Sequence, residues 1–119
     1  MKIIFATGNA HKVQEVRSML PQGIEIQSLK DIGFTDELPE TQDTIEGNSL
    51  QKAETLGKAL GIACFAEDTG MEVEALNGEP GVYSARYAGE NASYEDNVQK
   101  VLSRLEGEKD RRARFKTVI

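Results

Sequence analysis

The sequence contains few of the residues that build cross-linked or metal-stabilised scaffolds. Its 119 residues include one cysteine, one histidine, three prolines and no tryptophan. A single cysteine excludes a disulfide framework, and one cysteine with one histidine cannot supply the roughly four ligands of a structural zinc site. The 11 glycines and 3 prolines are too few for a collagen-like or low-complexity chain. We therefore expect one globular domain with one core.

Long apolar runs and basic patches are missing as well. No apolar run approaches the roughly 20 residues of a membrane-spanning helix, and the apolar run at the N-terminus is too short for a signal peptide. The net charge is −6, from 14 basic and 20 acidic residues, and residues 1–60 and 61–119 each have a net charge of −3. This balance argues against binding to the backbone of a nucleic acid. We expect a cytoplasmic protein that binds neither nucleic acid nor a membrane.

The hydrophobic periodicity predicts an α/β protein. The clearest helix begins at Ser93, because Ser93 and Asp96 have capping-box spacing and apolar residues follow at helical intervals. Residues 67–70 are predicted to form a break in the secondary structure between two strands. The predicted strands are 2–6, 24–28, 62–66, 71–75 and 112–119, and the other predicted helices are 11–20 and 44–60.

The last predicted strand ends abruptly. Residues 117–119 are threonine, valine and isoleucine, with no turn residue, cap or polar tail after them. Natural edge strands are usually blunted by charge or proline. We therefore interpret residues 1–119 as the N-terminal portion of a single domain that continues beyond Ile119.

The first candidate site is the segment 7–12, Thr-Gly-Asn-Ala-His-Lys. It joins the first predicted strand to a helix N-terminus, a common place for backbone N–H groups to hold an anion. Gly8 would let a phosphate approach the backbone, and Lys12 lies in the first helical turn. Neither a Walker A loop nor a dinucleotide-binding fingerprint is present. On spacing alone, an ordinary turn with Asn9 as helix N-cap is equally well supported.

The second candidate site is the segment 67–70, Glu-Asp-Thr-Gly, directly after an apolar run. Adjacent carboxylates are costly to crowd unless a proton or a cation separates them, and ligands bind at strand ends in α/β sheets. Asp68 is therefore a candidate Mg²⁺ ligand or water-activating group, and Thr69 a candidate phosphate contact. An acidic cap or turn is the alternative.

The third candidate site combines Glu40 with the predicted helix 44–60. Asn48 and Lys52 are four residues apart and so lie on one face of that helix. If this face borders the strand end at Asp68, one cleft would hold Glu40 as an acid that binds a metal and Lys52 as a base that binds phosphate. The alternative is that Glu40 and Lys52 are a solvated glutamate and lysine on the surface.

The segment 78–89, rich in glycine and aromatic residues, is too apolar for a linker. It is expected to form the wall of a site or a partner surface.

Together these segments resemble the inosine triphosphate pyrophosphatase family, over residues 2–119. Four motifs carry the resemblance in the right order, at 7–12, 46–53, 66–70 and 81–89. The last of them, Gly-Val-Tyr-Ser-Ala-Arg-Tyr-Ala-Gly, is long and specific. The resemblance implies a mixed central sheet flanked by helices, with the second part of the family fold absent from these residues.

The resemblance also implies a reaction. Family members use Mg²⁺ to hydrolyse ITP, dITP or XTP between the α- and β-phosphates, usually as homodimers, and so cleanse the nucleotide pool. Asp68 matches the catalytic and metal-binding acid, and Glu40 matches a metal ligand of some members. The implied substrate contacts are Thr7, Gly8, Asn9, Ala10, His11, Lys12, Lys52 and Thr69.

Two departures from the family pattern bear on function. Many members have two aspartates where this chain has Glu67-Asp68, and because the second acid is the functional one, Glu67 is expected to matter little. Two later family segments that contact the nucleotide, of the Gly-Phe-Gly-Tyr-Asp and Ser-His-Arg types, do not occur in residues 1–119. The alternative function is therefore a truncated, catalytically incompetent module that binds a nucleotide or a partner.

Overall fold

The computed structural model describes all 119 residues and divides them into two compact units. The first unit comprises residues 1–42, 46–67 and 119, and the second comprises residues 43–45 and 68–118. None of the helices is long and apolar enough to cross a membrane. The elements are β1 (Lys2–Phe5), α1 (Ala10–Met19), β2 (Glu25–Ser28), α2 (Ile45–Leu60), β3 (Cys64–Phe65), β4 (Asp68–Val73), β5 (Pro80–Gly81), α3 (Tyr94–Arg104) and β6 (Ala113–Val118).

A three-stranded parallel sheet, in the order β2-β1-β3, forms the centre of the first unit. Successive residues of a strand point to opposite faces of the sheet. In β1, Ile4 belongs to one buried apolar cluster and Phe5 to another. The strand is therefore buried on both faces, which explains its uninterrupted apolar sequence.

The two helices of the first unit pack through the apolar faces that the periodicity predicts. In α1, Val13 is buried, and Val16 and Leu20 pack partly against its cluster. In α2, Leu56 is fully buried. Leu60, one turn further along, is 38% exposed, because it is the last residue of α2.

The second unit contains an antiparallel sheet in the order β5-β4-β6. Both parallel and antiparallel pairings thus occur, and the α/β class with flanking helices is confirmed. Along its whole length β4 pairs with β6, from Asp68 opposite Val118 to Val73 opposite Ala113.

Helix α3 begins where its sequence predicts. Ser93 Oγ accepts a hydrogen bond from the backbone N–H of Asp96 at 3.1 Å, and Asp96 Oδ2 accepts one from the N–H of Ser93 at 2.9 Å. Val101, further along α3, is buried in the cluster of the second unit. Tyr94 and Leu102 belong to the apolar residues at helical intervals but are 84% and 46% exposed, so only part of the apolar face of α3 packs against this cluster.

The break between two strands that was predicted at residues 67–70 lies at residues 66–67 instead. Residues 68–70 are the first three of β4, and the strand predicted over 62–66 contains only Cys64–Phe65. Residues 68–70 pair with residues 116–118 of β6, and this pairing outweighs the low strand propensity of aspartate and glycine. Asp68 therefore begins a strand and does not lie in a turn.

Gly70 occupies the closest approach between β4 and β5. A Cβ built at this position would lie 2.4 Å from the carbonyl oxygen of Gly81 and 2.8 Å from Cδ1 of Ile45. The first of these atoms belongs to the backbone of β5, which cannot rotate away as a side chain can. Any side chain at position 70 would therefore push β5 away from β4.

We expect Gly70→Ala to lower the free energy of unfolding of the complete protein by about 1–3 kcal/mol, as overpacking typically does. Gly57→Ala is the matched control, because its Cβ would meet only Cys64 Sγ, at 3.7 Å. Alanine there should be neutral or stabilise α2 by up to about 1 kcal/mol. Urea unfolding of both variants measures the difference, and a Gly70→Ala variant as stable as the parent would contradict the close approach of β5.

Candidate active site

The segment 7–12 joins β1 to α1 and caps that helix. The side-chain oxygen of Asn9 accepts hydrogen bonds from the backbone N–H groups of His11, at 3.0 Å, and Lys12, at 3.3 Å. Thr7 Oγ1 accepts one from the N–H of Asn9 at 3.1 Å. Asn9 is therefore the helix N-cap. A Cβ on Gly8 would meet no atom within 4 Å, so the space beside it is open, and phosphate binding by this segment stays a prediction.

Four charged side chains of the first unit form one continuous network. Lys12 Nζ donates a hydrogen bond to Glu67 Oε1. Lys52 Nζ donates to the backbone oxygen of Glu67 at 2.7 Å and to Glu40 Oε1 at 2.8 Å. Glu67 and Lys52 are only 7% and 9% exposed, and burial requires each such charge to have a partner. Lys52 is therefore not the solvated surface lysine of the alternative interpretation.

Helix α2 also fastens the loop that carries Glu40. Asn48 Oδ1 accepts a hydrogen bond from the backbone N–H of Gln42 at 2.8 Å. Gln51 accepts one from the N–H of Thr41 at 2.9 Å and donates one to the hydroxyl of Thr41 at 2.8 Å. The loop is thus attached at two backbone positions directly after Glu40, which limits where its carboxylate can lie.

Asp68 and Thr69 begin β4 in the second unit. Thr69 lies opposite Thr117 of β6, and the two hydroxyl oxygens are 2.8 Å apart in a hydrogen bond. The role of Thr69 as a substrate contact stays a prediction. Asp68, the candidate catalytic acid, directly follows Glu67 in the sequence, and Glu67 is the residue to which both Lys12 and Lys52 bind.

The segment 78–89 is an ordered part of the second unit. Ser84 Oγ accepts a hydrogen bond from the backbone N–H of Met71 at 2.9 Å and donates one to the carbonyl oxygen of Gly81 at 2.6 Å. The first bond attaches the segment to β4, and the second links Ser84 to β5 within the segment itself. Its two predicted uses, as the wall of a site or as a partner surface, stay predictions.

Two cations of α3 hold Tyr87 of this segment. Lys100 Nζ lies 4.3 Å from the centroid of the tyrosine ring and donates to the carbonyl oxygen of Tyr87 at 2.7 Å. Arg104 donates to the hydroxyl of Tyr87 and, at 2.7 Å, to the Glu79 carboxylate. The hydrogen bond from Arg104 lowers the pKa of Glu79, and the bond to the Tyr87 hydroxyl is the main cause that raises the pKa of Arg104. These contacts anchor the segment to α3.

Oxygen ligands for Mg²⁺ are present without a preformed cage. The 119 residues contain no group of three or more His, Cys, Asp or Glu side chains placed to hold a metal ion. Proteins usually hold Mg²⁺ through one or two carboxylates together with waters and substrate phosphates. Asp68 and Glu40 each carry such a carboxylate, and their role as Mg²⁺ ligands stays a prediction.

Sequence reasoning missed the position of Glu67. It assigned this residue little importance, yet both lysines of the network bind it, one through the side chain and one through the backbone. The available indication was a carboxylate placed directly after a buried apolar run, where a charge requires a partner.

These features define an α/β protein with a network of two lysines and two glutamates, of which Lys52 and Glu67 are buried. Residues 3–119 match the Ham1 family, and the chain belongs to that family. It is 56% identical over 119 residues to the dITP/XTP pyrophosphatase of Flavobacterium johnsoniae and 47% identical over 119 residues to that of Bacillus subtilis. The alignments cover 100% and 98% of this chain but 62% and 60% of those relatives.

Solved structures of the family have the same fold. The Ham1 protein of Coxiella burnetii matches with a TM-score of 0.91 at 36% identity, over 99% of this chain and 61% of that one. The Ham1 protein of Staphylococcus aureus matches with a TM-score of 0.88 at 40% identity, over 98% and 60%. The resemblance derived from the four motifs is confirmed, and the chain spans about three-fifths of the length of these relatives.

Proposed function

We propose that the complete protein hydrolyses the non-standard purine nucleoside triphosphates ITP, dITP and XTP to the monophosphate and pyrophosphate. Membership of the Ham1 family and relatives named dITP/XTP pyrophosphatase support this proposal. The observation that carries it is the network around Glu67, in which Lys12 and Lys52, two expected phosphate contacts 40 positions apart in the sequence, bind the same residue.

In this proposal the first unit binds the triphosphate. The side chain of Lys12 is 36% exposed and can turn toward a phosphate, and the open space beside Gly8 admits one. Lys52 is largely buried and supplies a fixed positive charge. Thr7, Asn9, Ala10 and His11 complete the proposed binding segment.

In the second unit, Asp68 is the proposed catalytic residue and Thr69 a proposed substrate contact. Asp68 orients a water molecule, whose oxygen forms a bond to phosphorus as the anhydride bond between the α- and β-phosphates breaks. The products are the nucleoside monophosphate and pyrophosphate, and the proton lost by the water passes to solvent. Mg²⁺, for which Asp68 and Glu40 are the proposed ligands, supplies positive charge that stabilises the negative phosphate oxygens. A homodimer and a cytoplasmic location are the further parts of the proposal.

We expect Asp68→Asn in the complete protein to reduce pyrophosphate release from ITP by at least a hundredfold, because the variant loses the carboxylate proposed to orient the water and to bind Mg²⁺. Since about 1.4 kcal/mol of barrier corresponds to tenfold in rate, this loss is about 2.8 kcal/mol or more. Folding should be retained, since asparagine keeps the size of the side chain. Asp110→Asn is the matched control, because Asp110 pairs with Arg112 outside the proposed site. Turnover of Asp68→Asn within threefold of the parent would remove Asp68 from the mechanism.

We expect Lys12→Ala and Lys52→Ala to weaken binding of a non-hydrolysable ITP analogue by about 1.5–3 kcal/mol each, the usual contribution of a charged hydrogen bond. Only Lys52→Ala should also lower the thermal stability clearly, because Lys52 is 9% exposed and holds both Glu40 and the Glu67 backbone. Calorimetric titration and thermal unfolding separate the two effects. Unchanged affinity in both variants would contradict the proposed phosphate contacts.

The coverage of about three-fifths of the relatives favours one alternative, that residues 1–119 alone bind nucleotide without hydrolysing it selectively. Distinguishing hypoxanthine from adenine requires buried polar groups fixed against the six-position of the base, and none of the motifs in this chain supplies such a pocket. We expect residues 1–119 to show little selectivity for ITP over ATP, and the complete protein to show strong selectivity. Pyrophosphate release from ITP, XTP and ATP measures both, and selective turnover by residues 1–119 would contradict this expectation.

A further inference from the structure

The Lys12 ammonium group already has an anionic partner inside the protein. It donates a hydrogen bond to the carboxylate of Glu67. The two side chains differ in exposure, at 36% for Lys12 and 9% for Glu67. The lysine end of the ion pair therefore faces solvent, and the carboxylate end is enclosed by protein.

The backbone of Glu67 is held independently of Lys12. Its backbone oxygen accepts a hydrogen bond of 2.7 Å from Lys52 Nζ, and Lys52 is in turn held by Glu40 at 2.8 Å. Lys12 is the more exposed partner of the ion pair, and its long side chain projects from the first turn of α1. A ligand that binds Lys12 must draw its ammonium group away from the enclosed carboxylate of Glu67.

We propose that Glu67 is a positioning residue that acts as a built-in competitor of phosphate for Lys12, and so sets the affinity of the site for a polyphosphate. This inference rests on the proposed function, in which Lys12 binds the triphosphate. Glu67 holds the ammonium group beside the binding segment until a more highly charged anion displaces the carboxylate. The competition makes the site selective for charge, because a single phosphate competes less well with Glu67 than a triphosphate does.

The test is calorimetric titration of the complete protein with inorganic triphosphate, at low ionic strength and without metal or nucleotide. We expect Glu67→Gln to bind about tenfold more tightly than the parent, since Lys12 no longer has to leave a carboxylate. Glu67→Asp keeps the negative charge and should bind within about twofold of the parent. Glu54→Gln is the charge-matched control, because it removes one carboxylate from an exposed position of α2, and it should change the affinity less than twofold.

The double variant Lys12→Ala/Glu67→Gln shows whether Glu67 acts through Lys12. We expect it to bind no more tightly than Lys12→Ala alone. Unchanged or weaker binding by Glu67→Gln, or an equal gain in the Lys12→Ala background, would overturn the inference. Unchanged affinity in Lys12→Ala would instead contradict the proposed phosphate contact itself, so the two failures are distinguishable. Circular dichroism of every variant confirms that the fold is retained.

Discussion

Burial of the Glu67 carboxylate and the Lys52 ammonium group constrains the whole first unit. A buried charge costs several kcal/mol unless it is paired and hydrogen-bonded, so each partner must arrive at a fixed place. Lys52 comes from α2, Glu67 from the second position after β3, and Lys12 from the first turn of α1. The parallel sheet and both helices must therefore be correctly placed before these charges are satisfied, and misplacing any one of them leaves a charge without its partner.

The second unit is held together by different means. Its strands rely on backbone pairing, which runs the full length of β4 and β6, and on a glycine at position 70 that lets β5 approach. Its helix is attached through an aromatic ring, since Tyr87 is bound by both Lys100 and Arg104. The charged side chains of these contacts, such as Arg104 and Glu79, are half-exposed, so their placement costs little desolvation free energy.

Features that depend on neighbours in the sequence could be predicted, and features that depend on distant partners could not. The caps at Asn9 and Ser93 and the apolar faces around Val13 and Leu56 follow from residues within one or two helical turns. The strand at 68–70 forms only because β6 lies opposite, more than forty residues later. Glu67 is likewise bound by a lysine 55 residues away. The residues of the candidate site were therefore recognisable by type, but their partners became evident only from the fold.

The cap at the start of α1 has a consequence for what the first unit can recognise. Because the Asn9 side chain occupies the N–H groups of His11 and Lys12, these two backbone donors are not directed at a ligand. Among the proposed phosphate contacts, Lys12 and Lys52 have ammonium groups, which are compact charges without the planar, two-pronged geometry of arginine. If they bind phosphate as proposed, they would respond to the charge of the anion and impose little on its orientation. Discrimination between one nucleotide and another would then fall to groups that touch the base.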